Sequence, residues 1–136
     1  MGEGLKRHPA DPRAHAYMIA LLARKGEPID GAARAARAAI PKTAHARTDL
    51  AAMLMSFGRD EGETVAVPLA AAALGLVDDA LKLNPNDIDA LEQKAEILRT
   101  QARRVSEPER AKLLSEEARL RAQAAELHRR RPRPDR

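Results

Sequence analysis

The stretch Asp79-Ala80-Leu81-Lys82-Leu83-Asn84-Pro85-Asn86-Asp87-Ile88-Asp89-Ala90-Leu91 decides how this chain is read. An apolar helical run meets Asn84-Pro85, where proline ends it, and Asp87 offers a capping carboxylate to the helix that follows. The spacing from Pro85 to Ala90, four residues between them, occurs twice more, at Pro9 to Ala14 and Pro41 to Ala46. Counted on from each Ala, the fourth, fifth and eighth residues are Met18, Ile19 and Leu22, then Leu50, Ala51 and Leu54, then Lys94, Ala95 and Leu98. Only Lys94 is not apolar, and the spacing lines one face of a helix.

A second pattern lies between these copies. Counted back from the proline that follows each, positions minus twelve, eight and five are Ile29, Ala33 and Ala36; Ala73, Val77 and Ala80; Leu120, Ala124 and Leu127, all apolar. The chain therefore reads as three helical hairpins, with helices expected over roughly 12–25, 28–39, 44–57, 66–83, 87–104 and 107–130. Asp11 before Pro12, Thr43 before Ala44, Pro68 near a first turn, Asp87, and a capping box at Ser106-Glu107-Pro108-Glu109 mark starts. Gly26, Gly58, Pro41, Pro85 and Pro132 mark stops. On the last helix the stripe Leu113, Glu117, Leu120, Ala124, Leu127 is flanked by i,i+4 pairs Lys112/Glu116, Glu117/Arg121 and Glu126/Arg130.

Composition agrees with an all-helical chain. Of 136 residues, 44% are hydrophobic; Ala supplies 29 of these and Leu 16, against nine Val plus Ile and two aromatics, Tyr17 and Phe57. Ala and Leu favour helix, whereas strands draw on β-branched and aromatic residues, so a sandwich, barrel or doubly wound sheet is excluded. The absence of Cys removes disulfides, thiolate metal sites and a Cys nucleophile. The compartment is left open by that composition, cytoplasmic being the default for a chain in which neither a secretory signal nor a membrane span is recognised; the longest apolar run, Val65 to Val77, is broken by Pro68 and Gly75.

The repeat resembles the tetratricopeptide repeat family, whose unit is a helix, a turn and a helix with small residues at the crossing and proline at the end. The segment from Asp79 to Leu91 is similar to that family's junction between successive repeats, and the resemblance covers about residues 9–128. It implies a right-handed α-solenoid of about three TPR-like repeats, six helices in all, with a long C-terminal capping helix. It divides the chain into an N-terminal tail (1–8), the repeat domain (9–128) and a basic Arg/Pro-rich tail (129–136). The chain departs from the family in its period, the steps between Pro9, Pro41, Pro85 and Pro132 being 32, 44 and 47 residues against about 34. It also carries His15, Arg47 and Leu91 where the family commonly has Trp. A compact six-helix bundle would satisfy the same apolar pattern.

The resemblance implies that partners lie on a concave face formed by the first helix of each pair. Its groove positions here are Arg13, Ala16, Tyr17, Ala20, Ala23 and Arg24; His45, Thr48, Asp49, Ala52, Met55 and Ser56; Asp89, Glu92, Gln93, Glu96, Arg99 and Thr100. The residues expected to hold a partner are Arg13, Tyr17, Arg24, His45, Asp49, Met55, Asp89, Glu92, Glu96 and Arg99. The implied function is that of a non-catalytic protein–protein interaction module, a scaffold or adaptor gripping a peptide or helix. Such a groove is basic at one end and acidic at the other, so the partner's basic part is expected near Glu92 and Glu96. Ala16 and Ala20 stand where chaperone-clamping members carry Lys and Asn, which disfavours that kind of docking.

Two other readings accompany this one. Five Arg in residues 129–136, with Arg13 and Arg24, could contact nucleic acid phosphates, although no aromatic residues are interleaved for base stacking. The stripe on the last helix could pair with a second copy rather than cap the array. Catalysis and cofactors are not expected. The four His have no partners at metal-ligand spacing, and on one helix Ser56 would lie roughly 16 Å from His45, too far for a nucleophile and its base. Gly58-Arg59-Asp60-Glu61-Gly62 lacks the Lys-Ser/Thr of a phosphate loop. Asp60, Glu61, Glu63, Asp78 and Asp79 read as loop and helix-start charges.

Overall fold

The structure, a computed structural model, describes residues 11–131. Among them are six α-helices and no strand: α1 (Pro12–Arg24), α2 (Asp30–Ala39), α3 (Ala44–Gly58), α4 (Glu63–Leu83), α5 (Ile88–Ala102) and α6 (Glu109–Arg130). The expected tails 1–8 and, beyond Arg131, the basic C-terminal segment lie outside the described residues.

Local chemistry sets most boundaries. The side chains of Asp11, Thr43 and Asp87 accept hydrogen bonds from the backbone N–H groups of Arg13, Ala46 and Ala90, satisfying donors that a helix start leaves open. Gly26 ends α1 with φ +73°; its N–H bonds to the Ala23 carbonyl and that of Glu27 to Leu22, the paired closure that a left-handed residue permits. No atom crowds a Cβ there, so Gly26→Ala carries backbone strain alone. It should lower stability by about 1 kcal/mol, read as a shift in the urea midpoint.

Three boundaries differ from expectation. α4 begins at Glu63, with Pro68 inside it rather than at its first turn. The ring removes the bond to the Thr64 carbonyl, at a turn of the helix where Thr64 is exposed. Gly58 is the last residue of α3, with a negative φ; its missing side chain serves the close approach of Leu69 and Ala66 on α4. Ser106 does not cap α6, which starts at Glu109; the Glu107 carboxylate instead accepts from the Ala111 N–H.

Helix ends are also closed from a distance. Arg47, on α3, is buried and donates to the Arg37 carbonyl in the last turn of α2. Arg110, on α6, donates to the Ala102 and Val105 carbonyls after α5. A guanidinium at a C-terminus meets both the unpaired carbonyls and the negative pole of the helix.

The helices pack in pairs and neighbours. α3 lies along α4 and α5 along α6, each pair joined by a short loop, while α5 also contacts α4 and α3. α1 packs across α3 and α4 more than on its own partner α2. The first hairpin is loose because α2 buries only Ala36, with Ile29 and Ile40 at its two ends. The larger core joins α1 to α4 and includes Ile19, Leu50, Leu54, Leu69, Leu76 and Val77, with Ile97 from α5. A smaller core of Ile88, Leu91, Ala95, Leu98, Leu120 and Ala124 holds α5 to α6. Full burial of each Leu or Ile contributes about 1.5–3 kcal/mol. Where α3, α4 and α5 meet, the contact is made by Ala44, Ala80 and Ala90.

α4 is long and apolar enough, by length and composition, to cross a membrane. In this fold its apolar face is covered by protein: Val65, Leu69, Ala73, Leu76 and Val77 belong to the larger core. Glu63 is a helix-start charge as expected, in the first turn of α4, but Asp78 and Asp79 are not. Asp78 reaches Lys94 of α5 at 2.9 Å, and Asp79 reaches Arg37 of α2 at 2.6 Å. Likewise Glu61, in the α3–α4 turn, holds Arg24 at 2.9 Å. Each of these acids lies far along the chain from its cation, so spacing along one helix does not show the pairing.

On α6 the pairs Glu117/Arg121 and Glu126/Arg130 form as expected. Glu116, however, takes Arg119 rather than Lys112, because the Arg fork donates from Nε and Nη2 to both carboxylate oxygens. Arg119 holds the Glu116 carboxyl below its ordinary value near 4.5, and Arg129 does the same for Glu126. A carboxyl whose folded value is depressed adds stability above its unfolded value and loses it as pH falls through the folded one. The helicity of α6 should therefore be steady at neutral pH and decline as pH drops below about 4.5. Far-ultraviolet dichroism at a fixed sub-denaturing urea concentration would show it, and Glu116→Gln with Glu126→Gln should flatten the acid limb.

Candidate partner-binding face

The exposed strip of α3 is the centre of this face. His45, Asp49, Ala52, Ser56 and Arg59 are all exposed and recur at spacings of three and four, so they share one side of the helix and its end. A hollow lies on each flank of the strip. One, of about 380 Å³, opens between α3 and α5, with Ala52 and Met55 facing Gln93, Glu96 and Thr100. The other, of about 410 Å³, lies between α1 and α3 and is lined by Arg13, Tyr17, Met53, Ser56 and Phe57. Tyr17 is 45% exposed and meets Phe57 edge to face, ring centroids 6.3 Å apart. Such a pair presents a rigid apolar wall with a phenolic hydroxyl at its edge.

The structure thus gathers Arg13 with Tyr17, and Met55 with Glu96. Arg99 lines a third hollow, beside Arg103, Arg110 and the exposed Leu114. Arg24, Asp89 and Glu92 line none of these hollows. His45 and Asp49 pair with each other at 3.1 Å on the exposed strip. Four groove positions are not surface: Ala16, Ala20 and Ala23 are buried because α1 lies flat on its neighbours there, and Thr48 on α3 is buried as well. Thr48 turns its hydroxyl back to donate to the Ala44 carbonyl.

The acidic end of the expected groove is occupied by the chain's own last helix. Glu96 bonds Arg121 at 3.3 Å and Glu92 faces His128 at 3.7 Å. The guanidinium of Arg121 is held further toward its charged form by Glu117 first and then by Glu96. These contacts accompany the packing of Leu113, Leu120, Ala124 and Leu127 on α5, so the stripe on α6 faces inward. Glu117, the one charged member of the stripe, is also largely covered and is paired with Arg121 on the same helix.

Sequence reasoning missed Met53, Phe57, Arg59, Arg103 and Arg104. Phe57 had a signal, since it is one of two aromatics and sits one turn after Met53. The arginines had none, because they lie in turns that only the tertiary fold brings together. Among the described residues no three His, Asp or Glu side chains converge as a metal site. What the face can do is hold side chains: a mainly apolar hollow on one side of a polar strip and a hollow of mixed polar and apolar lining on the other. No protein family matches the chain, nor does any curated protein or solved structure.

Proposed function

We propose that the chain is a non-catalytic, TPR-like interaction module that grips a peptide or helix of a partner protein across the exposed strip of α3. Under this reading α1, α3 and α5 form the inner wall of a short right-handed solenoid and α6 is its cap. The observation that carries it is the position of the two hollows, which flank one strip and draw their walls from all three odd-numbered helices. An extended segment laid along that strip would place neighbouring side chains in both. Tyr17, Phe57 and Met55 are the anchors, since rigid aromatics and an adaptable thioether dominate interface energetics.

The nucleic acid and homodimer readings gain no comparable support. Arg24 is engaged by Glu61, Arg129 and Arg130 by Glu126, and the α6 stripe by α5. The test is site-specific photo-crosslinking in native lysate, with the crosslinker at Ala52 or at Leu83, an exposed residue outside both hollows. A discrete polypeptide should attach through Ala52 and not through Leu83. Attachment through Leu83 alone would move the site to another face.

A further inference from the structure

We infer that the hollow between α3 and α5 seats an acidic segment of the partner polypeptide, its carboxylates on Arg59, Arg103 and Arg104 and one of its apolar side chains inside. This rests on the odd-helix face being the partner-binding face. Arg59 follows α3 and Arg103 and Arg104 follow α5, and because both helices finish at the same side of the hollow the three guanidiniums stand around one opening. The only carboxylate lining it is Glu96, which is engaged by Arg121. The opening is therefore positive, the reverse of the polarity expected from the odd-helix positions alone.

Most arginines of the described chain are committed to acids or carbonyls. Arg104 donates one bond, to the Thr100 carbonyl, and Arg110 closes the end of α5. The side chains of Arg59 and Arg103 make no hydrogen bond or ion pair to any described residue, their backbone N–H groups alone being engaged at the helix ends. Complementing the helix poles thus accounts for Arg104 and Arg110 but leaves the other two unused. A planar guanidinium with open donors matches a carboxylate in two-point fashion. Leu54, Ala66 and Leu69 close the base of the hollow as buried side chains, and the apolar surface offered to an aliphatic side chain is that of Ala52 and Met55 on its wall. No aromatic ring lines this hollow for base stacking, and the cations cluster at one end instead of tracking a groove, which favours a polypeptide over a nucleic acid.

The test uses the full chain and fluorescence anisotropy with three probes: a labelled Glu-Leu-Ser repeat peptide, its Lys-Leu-Ser counterpart and an oligothymidylate of equal length. The acidic peptide should bind, weaken as salt rises, and lose affinity about tenfold in the doubly substituted Arg59→Gln, Arg103→Gln protein. Both side chains are exposed and unpaired, so this variant should keep its dichroism spectrum, and the doubly substituted Arg34→Gln, Lys42→Gln protein, which loses the same two charges at exposed positions outside the hollow, serves as the charge-matched control. Equal weakening in the Arg34→Gln, Lys42→Gln control, or none in the Arg59→Gln, Arg103→Gln protein, would overturn the assignment of the site. Preference for the Lys peptide would overturn the acidic chemistry while leaving the partner-binding face standing, and preference for the oligothymidylate would replace the polypeptide by nucleic acid. Failure of every probe to bind would overturn both readings.

Discussion

Leu120→Ala should lower the free energy of unfolding by about 2–5 kcal/mol, the range for deleting a fully buried Leu whose neighbours cannot close the gap. Leu120 is 2% exposed and is the central α6 contribution to the smaller core, facing Ile88, Leu91, Ala95 and Leu98. Because α6 packs extensively on α5 alone, the loss should appear first as release of that helix. Hydrogen exchange would show amides of α6 losing protection while those of α3 and α4 keep theirs. Leu120→Met, which conserves volume, should cost less than about 1.5 kcal/mol. A uniform fall in protection across all six helices would show that the two cores open as one.

Ala90→Leu should be nearly as damaging, for the opposite reason. Ala90 and Ala80 are both 0% exposed, and with Ala44 they form the place where α3, α4 and α5 touch. An isobutyl group there has no space to enter, and overpacking of this kind costs about 1–3 kcal/mol or more. The larger consequence is geometric: α5 must move away from α3, which distorts the hollow between them. Thermal unfolding would report the first effect and weakened peptide binding the second. Ala90→Gly, which removes bulk and costs about 1 kcal/mol through helix propensity, should leave binding intact. An unchanged melting midpoint for Ala90→Leu would contradict the close contact of these three helices.

The order and nature of the helices were legible because caps, stops and periodicity are local. Asp11, Thr43, Asp87 and Gly26 each act within a few residues of themselves, so reading them needs no knowledge of what packs where. The apolar positions of both repeat patterns are buried or half-buried for the same reason, except that Lys94 extends from its stripe to Asp78. What was not legible depends on partners distant in sequence. Pro68 appeared to open a helix because nothing local shows that Glu63 and Val65 continue the turn before it. Arg47, standing where the family commonly has Trp, is buried because a carbonyl of another helix receives it. The candidate face was half visible: the family resemblance brought forward Tyr17, Met55 and Glu96, but only tertiary contact shows that α6 takes Glu96 and that turn arginines line the opening.

Asp78 and Asp79, adjacent in sequence, have a mechanical effect. Consecutive helical side chains diverge by roughly 100°, so one grips Lys94 of α5 and the other Arg37 of α2. α4 is consequently keyed like an axle between two spokes, and any swivel about its own length must disturb both attachments together. Were a segment captured against α5 as proposed, its pull would reach α2 by way of Lys94–Asp78 and Asp79–Arg37, within one helix and across no intervening turn.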